Sequence, residues 1–154
     1  MVKWRDWLLA AGLLWLRLLM GFGIASHGYQ KIFGGRMDQF TEGVATLGFL
    51  LPGFFAWAAA LSEFVGGLLI VVGLGTRVAA LFVFISMSVA AFIRHAADPF
   101  RVKELALAYW TIASSLLLIG PRALSVDALI HRRSVDGGRS GRNHDEQTGV
   151  KRRR

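Results

Sequence analysis

The stretch Phe54–Leu74, FFAWAAALSEFVGGLLIVVGL, is almost entirely apolar and carries one ionisable side chain, Glu63, near its centre. About 20 consecutive apolar residues form a helix long enough to cross the hydrocarbon core of a bilayer. A carboxylic acid at that depth is costly unless another group compensates it, so such a residue is a candidate for function. We therefore predict a transmembrane helix here, with Glu63 facing the inside of a helical bundle.

Other apolar stretches surround this one, and together they predict four membrane-spanning helices at about residues 7–26, 54–74, 78–97 and 105–120. Hydrophobic residues make up 54% of the 154 residues, and the mean hydropathy is +0.47. Apolar residues that cluster in runs of span length are typical of a membrane protein. The predicted fold is an all-α membrane protein, a four-transmembrane-helix bundle that forms one domain over residues 1–133.

The first apolar stretch also has features of a secretory signal peptide, because Lys3 and Arg5 precede it and small residues near Ala25 offer a cleavage site. Arg17, however, interrupts the centre of this stretch, where a signal peptide rarely carries a charge. Further spans also follow. We therefore predict that the stretch is retained as the first transmembrane helix.

The basic residues indicate an orientation, since cytoplasmic loops of membrane proteins are enriched in Lys and Arg. If the N-terminus is cytoplasmic, the following residues lie on the cytoplasmic side and close to the spans: Lys3, Arg5, Arg77, Arg122, Arg132 and Arg133. An even number of spans then brings both termini to that side. The sequence predicts an N-in/C-in topology.

Residues 134–154 are polar and glycine-rich and lack apolar periodicity, so we predict a disordered basic cytoplasmic tail. A formal net charge of +8 in a soluble chain would suggest a nucleic-acid partner. Here the basic cluster Lys151–Arg154 is better explained by the lipid bilayer, because it reinforces orientation and attracts anionic headgroups. We expect no nucleic-acid partner.

The connection between the first two spans contains Met37, Phe40, Val44 and Leu47 at helical spacing. This pattern predicts a short amphipathic helix at about residues 37–47 that lies on the outer surface. A partly ordered loop is the alternative.

Glu63 shares its helix face with a stripe of mostly small residues, namely Ala56, Ala59, Ala60, Gly66, Gly67 and Ile70. Small residues allow close helix packing, so this face points into the bundle. Arg17 lies about ten residues from the inner end of the first span and Glu63 about ten from the outer end of the second, so both reach mid-depth. We predict a mid-membrane pair, Arg17 and Glu63, which either fixes helix register or forms a proton or substrate site.

A second polar group gathers at the outer ends of the spans and consists of His27, Tyr29, Lys31, Arg94, His95 and Glu104. Histidines beside a carboxylate exchange protons near neutral pH, so these residues are ligand candidates for an outer pocket that holds a quinone headgroup. Two histidines could also bind a metal or a b-type haem. They lack ligand spacing, so we predict no metal site; an ordinary polar interface is the remaining alternative.

At the cytoplasmic end, the turn after the second span and the exit of the fourth span emerge on the same face. Arg77 and Asp127 carry opposite charges there. We predict a structural pair that ties the last helix to the central hairpin.

Five elements in order resemble the DoxX family: Arg17, then HGYQKIFG at His27–Gly34, LSEFVGG at Leu61–Gly67, GLGTRVAA at Gly73–Ala80 and GPRALSVD at Gly120–Asp127. Each motif is weak alone, and their order and spacing make the resemblance specific.

This resemblance implies a four-helix integral membrane protein of the prokaryotic cytoplasmic (inner) membrane that takes part in redox chemistry or responses to oxidative stress. Carried over by position, Glu63 corresponds to the family's acid in the second span and Lys31 to its lysine after the first. Arg77 corresponds to its TR turn and Asp127 to its final aspartate.

The functional prediction is a small membrane component of a redox or oxidative-stress system that interacts with quinone. The chain has no cysteine, which excludes disulfides, iron–sulfur ligation and thiol catalysis, and it has no flavin fingerprint or phosphate loop. An enzymatic role would therefore be that of a quinone-linked oxidoreductase subunit. The alternatives are a scaffold or anchor for a soluble partner, and a small-molecule or proton transporter that uses Arg17 and Glu63. Partner subunits and a homo-oligomer both stay open.

Overall fold

The computed structural model describes residues 2–121 and 124–130, and within them every regular element is helical. The elements are α1 (Val2–Ile32), α2 (Met37–Ala45), α3 (Pro52–Val72), α4 (Thr76–Val89), a π-helical turn (Ala90–Arg94) and α5 (Phe100–Ile119). A short helical turn follows at 126–130. The predicted tail, residues 134–154, lies outside the described residues.

Within this part of the chain, four helical stretches are long and apolar enough to cross a membrane: Trp4–Ile32, Pro52–Val72, Thr76–Arg94 and Phe100–Ile119. The prediction of an all-α, four-span membrane protein is therefore confirmed. The first span is longer than the predicted 7–26 at both ends, and the fourth begins before the predicted residue 105.

The α1 and α3 helices are antiparallel and pack closely because glycines face one another. A Cβ atom added to Gly21 would lie 2.7 Å from the carbonyl oxygen of Gly67, and one added to Gly67 would lie 2.6 Å from that of Gly21. Further along, the backbone of Gly28 approaches Ala60 and Phe64. These contacts fix the register of the two helices, since no larger residue fits at either crossing.

The apolar core lies where α1, α3, α4 and α5 meet. It contains Met20, Ile24, Ile70, Val83, Met87 and Leu116, all buried. At one end of the bundle, which we call the hairpin end, Gly73–Gly75 turns the chain from α3 into α4; Gly73 and Gly75 have φ values of 76° and 55°. At the opposite end, the α2 end, the short helix α2 packs over α3.

Candidate functional site

A cavity of about 720 Å³ lies at the α2 end of the bundle. Its walls come from α1, α3, α4 and α5, and it is covered by Phe40 and Val44 of α2 and by Leu47 in the turn that follows α2. The lining is mostly apolar, and polar groups enter it from each of these walls and from the π-helical turn and the residue after it: His27, Lys31, Ser62, Glu63, Ser86, Arg94, His95 and Tyr109. A concave apolar pocket with a few convergent polar groups is the usual form of a small-molecule site.

The strongest polar interaction in this pocket joins Lys31 to Glu63. The Lys31 Nζ atom lies 2.6 Å from both carboxylate oxygens of Glu63. The Glu63 side chain is 4% exposed and that of Lys31 is 22% exposed. The Lys31 ammonium also lies 4.2 Å from the centre of the Phe40 ring, so α2 contributes a cation–π contact. The buried acid is thus compensated by the last turn of α1.

Arg17 is not the partner of Glu63, contrary to the sequence prediction. Its guanidinium donates a hydrogen bond to the carbonyl oxygen of Leu124 and lies beside Gly73 at the hairpin end. Glu63 is ten residues from Gly73 along α3, which corresponds to about 15 Å of helix. The two charges therefore belong to opposite halves of the bundle.

The prediction measured the depth of Arg17 in the membrane from the end of the first apolar stretch, at Trp7. In the structure α1 begins at Val2, and its register on α3 is set by Gly21 and Gly67. In that register the residues before Arg17 extend past the end of α3. The transport alternative loses the Arg17–Glu63 pair on which it relied.

His27 and Tyr109 lie near the ion pair and are available to a ligand. Their rings meet edge to face, with centroids 5.9 Å apart. Within the described residues, neither side chain makes a hydrogen bond to the protein, although both line the cavity. Both side chains are half-buried, so their hydrogen-bonding groups are open to a molecule in the cavity.

Arg94 and His95 also line the cavity; Arg94 ends the π-helical turn and His95 follows it. In this turn the backbone N–H of His95 donates to Ala90, five residues back, and such turns are frequent at functional sites. The His95 Nδ1 atom lies 2.6 Å from a carboxylate oxygen of Asp98. The Arg94 guanidinium lies against the backbone of Gly43 in α2.

Tyr29 and Glu104 do not line the cavity, so the prediction that they belong to the outer pocket is wrong. Tyr29 is 54% exposed and stacks outside the bundle against Phe33 and Phe64, at centroid distances of 5.1 and 6.1 Å. Glu104 is exposed on α5. Both belong to faces of their helices that point away from the bundle.

Arg77 and Asp127 also do not form the predicted ion pair, because each binds backbone at the hairpin end. The Asp127 carboxylate accepts hydrogen bonds from the N–H groups of Gly75 and Thr76 and from the Thr76 hydroxyl, at 2.8, 3.1 and 3.2 Å. Asp127 thereby caps the N-terminus of α4 from a distant part of the chain. The Arg77 side chain reaches the carbonyl oxygen of Leu118 at 3.5 Å.

The sequence places Tyr109 only near the predicted quinone pocket, does not identify Phe40, and led to the assignment of Glu63 to a different site. A signal for the α1 wall was present, since Ile24, His27 and Lys31 are spaced i, i+3 and i+7 and all line the cavity. No group of three or more His, Asp or Glu side chains in the described part of the chain is placed to hold a metal ion.

Comparison with known proteins agrees with the family resemblance seen in the sequence. The DoxX family model matches residues 12–96, more than half of the chain. The chain belongs to the DoxX family. The match covers α1 to α4, and with them His27, Lys31, Glu63 and Arg94.

A DoxX-type relative of the chain is an inner membrane protein, YqjF, from Escherichia coli (strain K12). It is 34% identical over 127 residues, which cover 79% of this chain and 94% of the relative. Together with the four apolar helices, this similarity identifies a multi-pass inner membrane protein. No solved structure matches the chain.

Proposed function

We propose that this DoxX-family protein is a membrane component of a redox system and that it binds a quinone in the cavity at the α2 end. The observation that carries the proposal is the combination of an apolar cavity of about 720 Å³ with His27 and Tyr109, next to the Lys31–Glu63 pair. Both side chains line the cavity and make no hydrogen bond to the described residues. A quinone is an apolar ring with two carbonyl acceptors and an apolar tail, so it matches this distribution of polarity.

In the proposed complex, each polar group has a distinct role. The Tyr109 hydroxyl and an N–H of His27 donate to a quinone carbonyl oxygen. Lys31 holds Glu63, so the charged pair stays neutral as a whole and does not oppose entry of an uncharged ring. Histidine is the side chain best suited to exchange protons near neutral pH, which reduction of a quinone to a quinol requires.

The electrons for such a reduction would come from a partner subunit, so the chain itself acts as a quinone-binding subunit. With both termini in the cytoplasm, as the basic residues indicate, the α2 end faces the periplasmic side. The site would then serve quinone chemistry in the outer half of the inner membrane. A scaffold role without a ligand would leave His27 and Tyr109 unexplained.

The test is calorimetric titration of the protein in lipid nanodiscs with a decyl-benzoquinone analogue. Tyr109→Phe should weaken binding about fivefold, because one hydrogen bond between neutral groups contributes about 1 kcal/mol. Tyr29→Phe is the matched control, since Tyr29 lies outside the cavity, and it should leave the affinity unchanged. Absence of binding to the wild-type protein, or an equal loss in both variants, would contradict the proposal.

A further inference from the structure

The cavity is covered on the side that faces water. Val44 of α2 is 7% exposed and lines the cavity together with Phe40 and Leu47. In the linker after α2, the Phe49 ring packs against Phe55, with centroids 4.8 Å apart. A molecule that reached the cavity from the aqueous phase would have to displace this cover.

The side of the cavity between α3 and α4 is different. Near the hairpin end these helices touch, and a Cβ atom added to Gly66 would lie 3.2 Å from a methyl group of Val83. Toward the α2 end the cavity lies between them. Phe54, Phe82 and Ile85 line it and are also 67%, 55% and 50% exposed.

Side chains that line a cavity and are exposed on the membrane-embedded surface mark the place where the cavity meets lipid. Ala58 of α3 completes this rim, because it is exposed and lines the cavity as well. On the α5 side, Val102 and Leu105 are also exposed lining residues. The rim between α3 and α4 is the larger of the two, and it is formed from two facing helices.

We propose that a mouth between the outer halves of α3 and α4 opens the cavity to lipid, and that the ligand is a molecule with a long apolar tail that passes through this mouth. This inference rests on the proposed function, since the headgroup lies at His27 and Tyr109, next to the Lys31–Glu63 pair. The tail then lies between Phe54, Phe82 and Ile85, and ends among lipid chains. The ligand class is therefore a lipid-dissolved, tailed ring compound.

A substitution that plugs the mouth tests this directly. Two benzoquinone analogues that share one ring, one with a decyl tail and one without, are titrated against Ala58→Trp, Leu105→Trp and the control Val65→Trp. Val65 is exposed on α3 but does not line the cavity. Ala58→Trp should weaken binding of the tailed analogue about tenfold relative to the tailless one, which corresponds to about 1.4 kcal/mol, because the indole would occupy the space of the tail.

The outcomes separate the two proposals. If neither analogue binds the wild-type protein, the proposed function fails and the mouth fails with it. If both bind and Ala58→Trp affects them equally, or if Leu105→Trp alone discriminates against the tail, the quinone site stands and the α3–α4 mouth is wrong.

A second measurement needs no variant. An analogue with a photoreactive group at the end of its tail should label α3 and α4 near Phe54, Phe82 and Ile85, and excess unlabelled decyl analogue should suppress that labelling. Competitor-sensitive labelling near Val102 and Leu105 instead would overturn the proposal.

Discussion

The two ends of the bundle differ in what the basic residue of α1 binds there. At the hairpin end, Arg17 binds the carbonyl oxygen of Leu124, and Asp127 uses its carboxylate on the backbone of Gly75 and Thr76. At the α2 end, Lys31 binds Glu63 beside a large cavity, and His27 and Tyr109 make no hydrogen bond within the described residues.

This difference supports the proposal that the α2 end is a binding end, whereas the hairpin end is structural. Side chains at the hairpin end bind backbone groups that would otherwise lose hydrogen bonds, although the Arg17 Nε atom is buried there without a hydrogen bond to the described residues. At the α2 end, the polar groups exceed what the protein uses. Polar groups without protein hydrogen bonds beside an apolar cavity are typical of a ligand-binding site, whereas a structural network uses its hydrogen bonds within the protein.

The largest expected effect comes from breaking the ion pair at the α2 end. Glu63→Gln should lower the free energy of unfolding by about 3 kcal/mol, because it leaves the Lys31 ammonium without its counter-charge. Adding Lys31→Met should restore most of this loss. Thermal unfolding in mild detergent measures it, with Glu104→Gln as the control for an exposed acid. Equal effects of Glu63→Gln and Glu104→Gln would show that the pair contributes little.

A smaller effect is expected at the hairpin end. Asp127→Ala should cost about 2 kcal/mol, since it removes the cap of α4, whereas Arg77→Ala should cost about 0.5 kcal/mol. Because the two side chains do not contact each other, their effects should add in the double variant. A coupling energy well above the error of the unfolding measurement would indicate that Arg77 and Asp127 interact directly, as the sequence predicted.

The smallest effect concerns His95 and Asp98, which pair at the rim of the cavity. The Asp98 side chain is 45% exposed, so solvent screens the interaction. Asp98→Asn should lower the free energy of unfolding by about 0.5 kcal/mol or less, which is a smaller change than that expected for Glu63→Gln. It should also leave affinity for the decyl analogue unchanged. A strong loss of binding would indicate that the quinone headgroup lies near His95 and not near Tyr109.

Much of the fold could be predicted from the sequence, because the length of an apolar run is a direct physical requirement for spanning a bilayer. The inward direction of Glu63 followed from the small residues on its face. The partner of Glu63 did not follow, since the register of α1 on α3 depends on which glycines meet. The distance from the end of an apolar run does not fix that register.

Other parts of the site left no clear signal in the sequence. The role of Asp127 could not be predicted from the sequence, because two of its three partners are backbone N–H groups, which every residue except proline carries. The π-helical turn at Ala90–Arg94 has no proline or glycine to mark it. The assignment of Tyr109 required knowing which face of α5 meets α1.

The extension of α1 past the end of α3 has a consequence for the surrounding lipid. The helix Trp4–Ile32 has 29 residues, and Phe100–Ile119 has 20. At 1.5 Å per residue these helices measure about 44 Å and about 30 Å, whereas the hydrocarbon core is about 30 Å thick. An upright α1 therefore extends past the hydrocarbon core, and tilting or a thicker bilayer beside it would bury more of its length. We expect the tilt of α1 to decrease in lipids with longer acyl chains; a tilt that does not change with chain length would contradict this. Hydrophobic mismatch thus makes one side of the molecule sensitive to membrane thickness while the other side fits without adjustment.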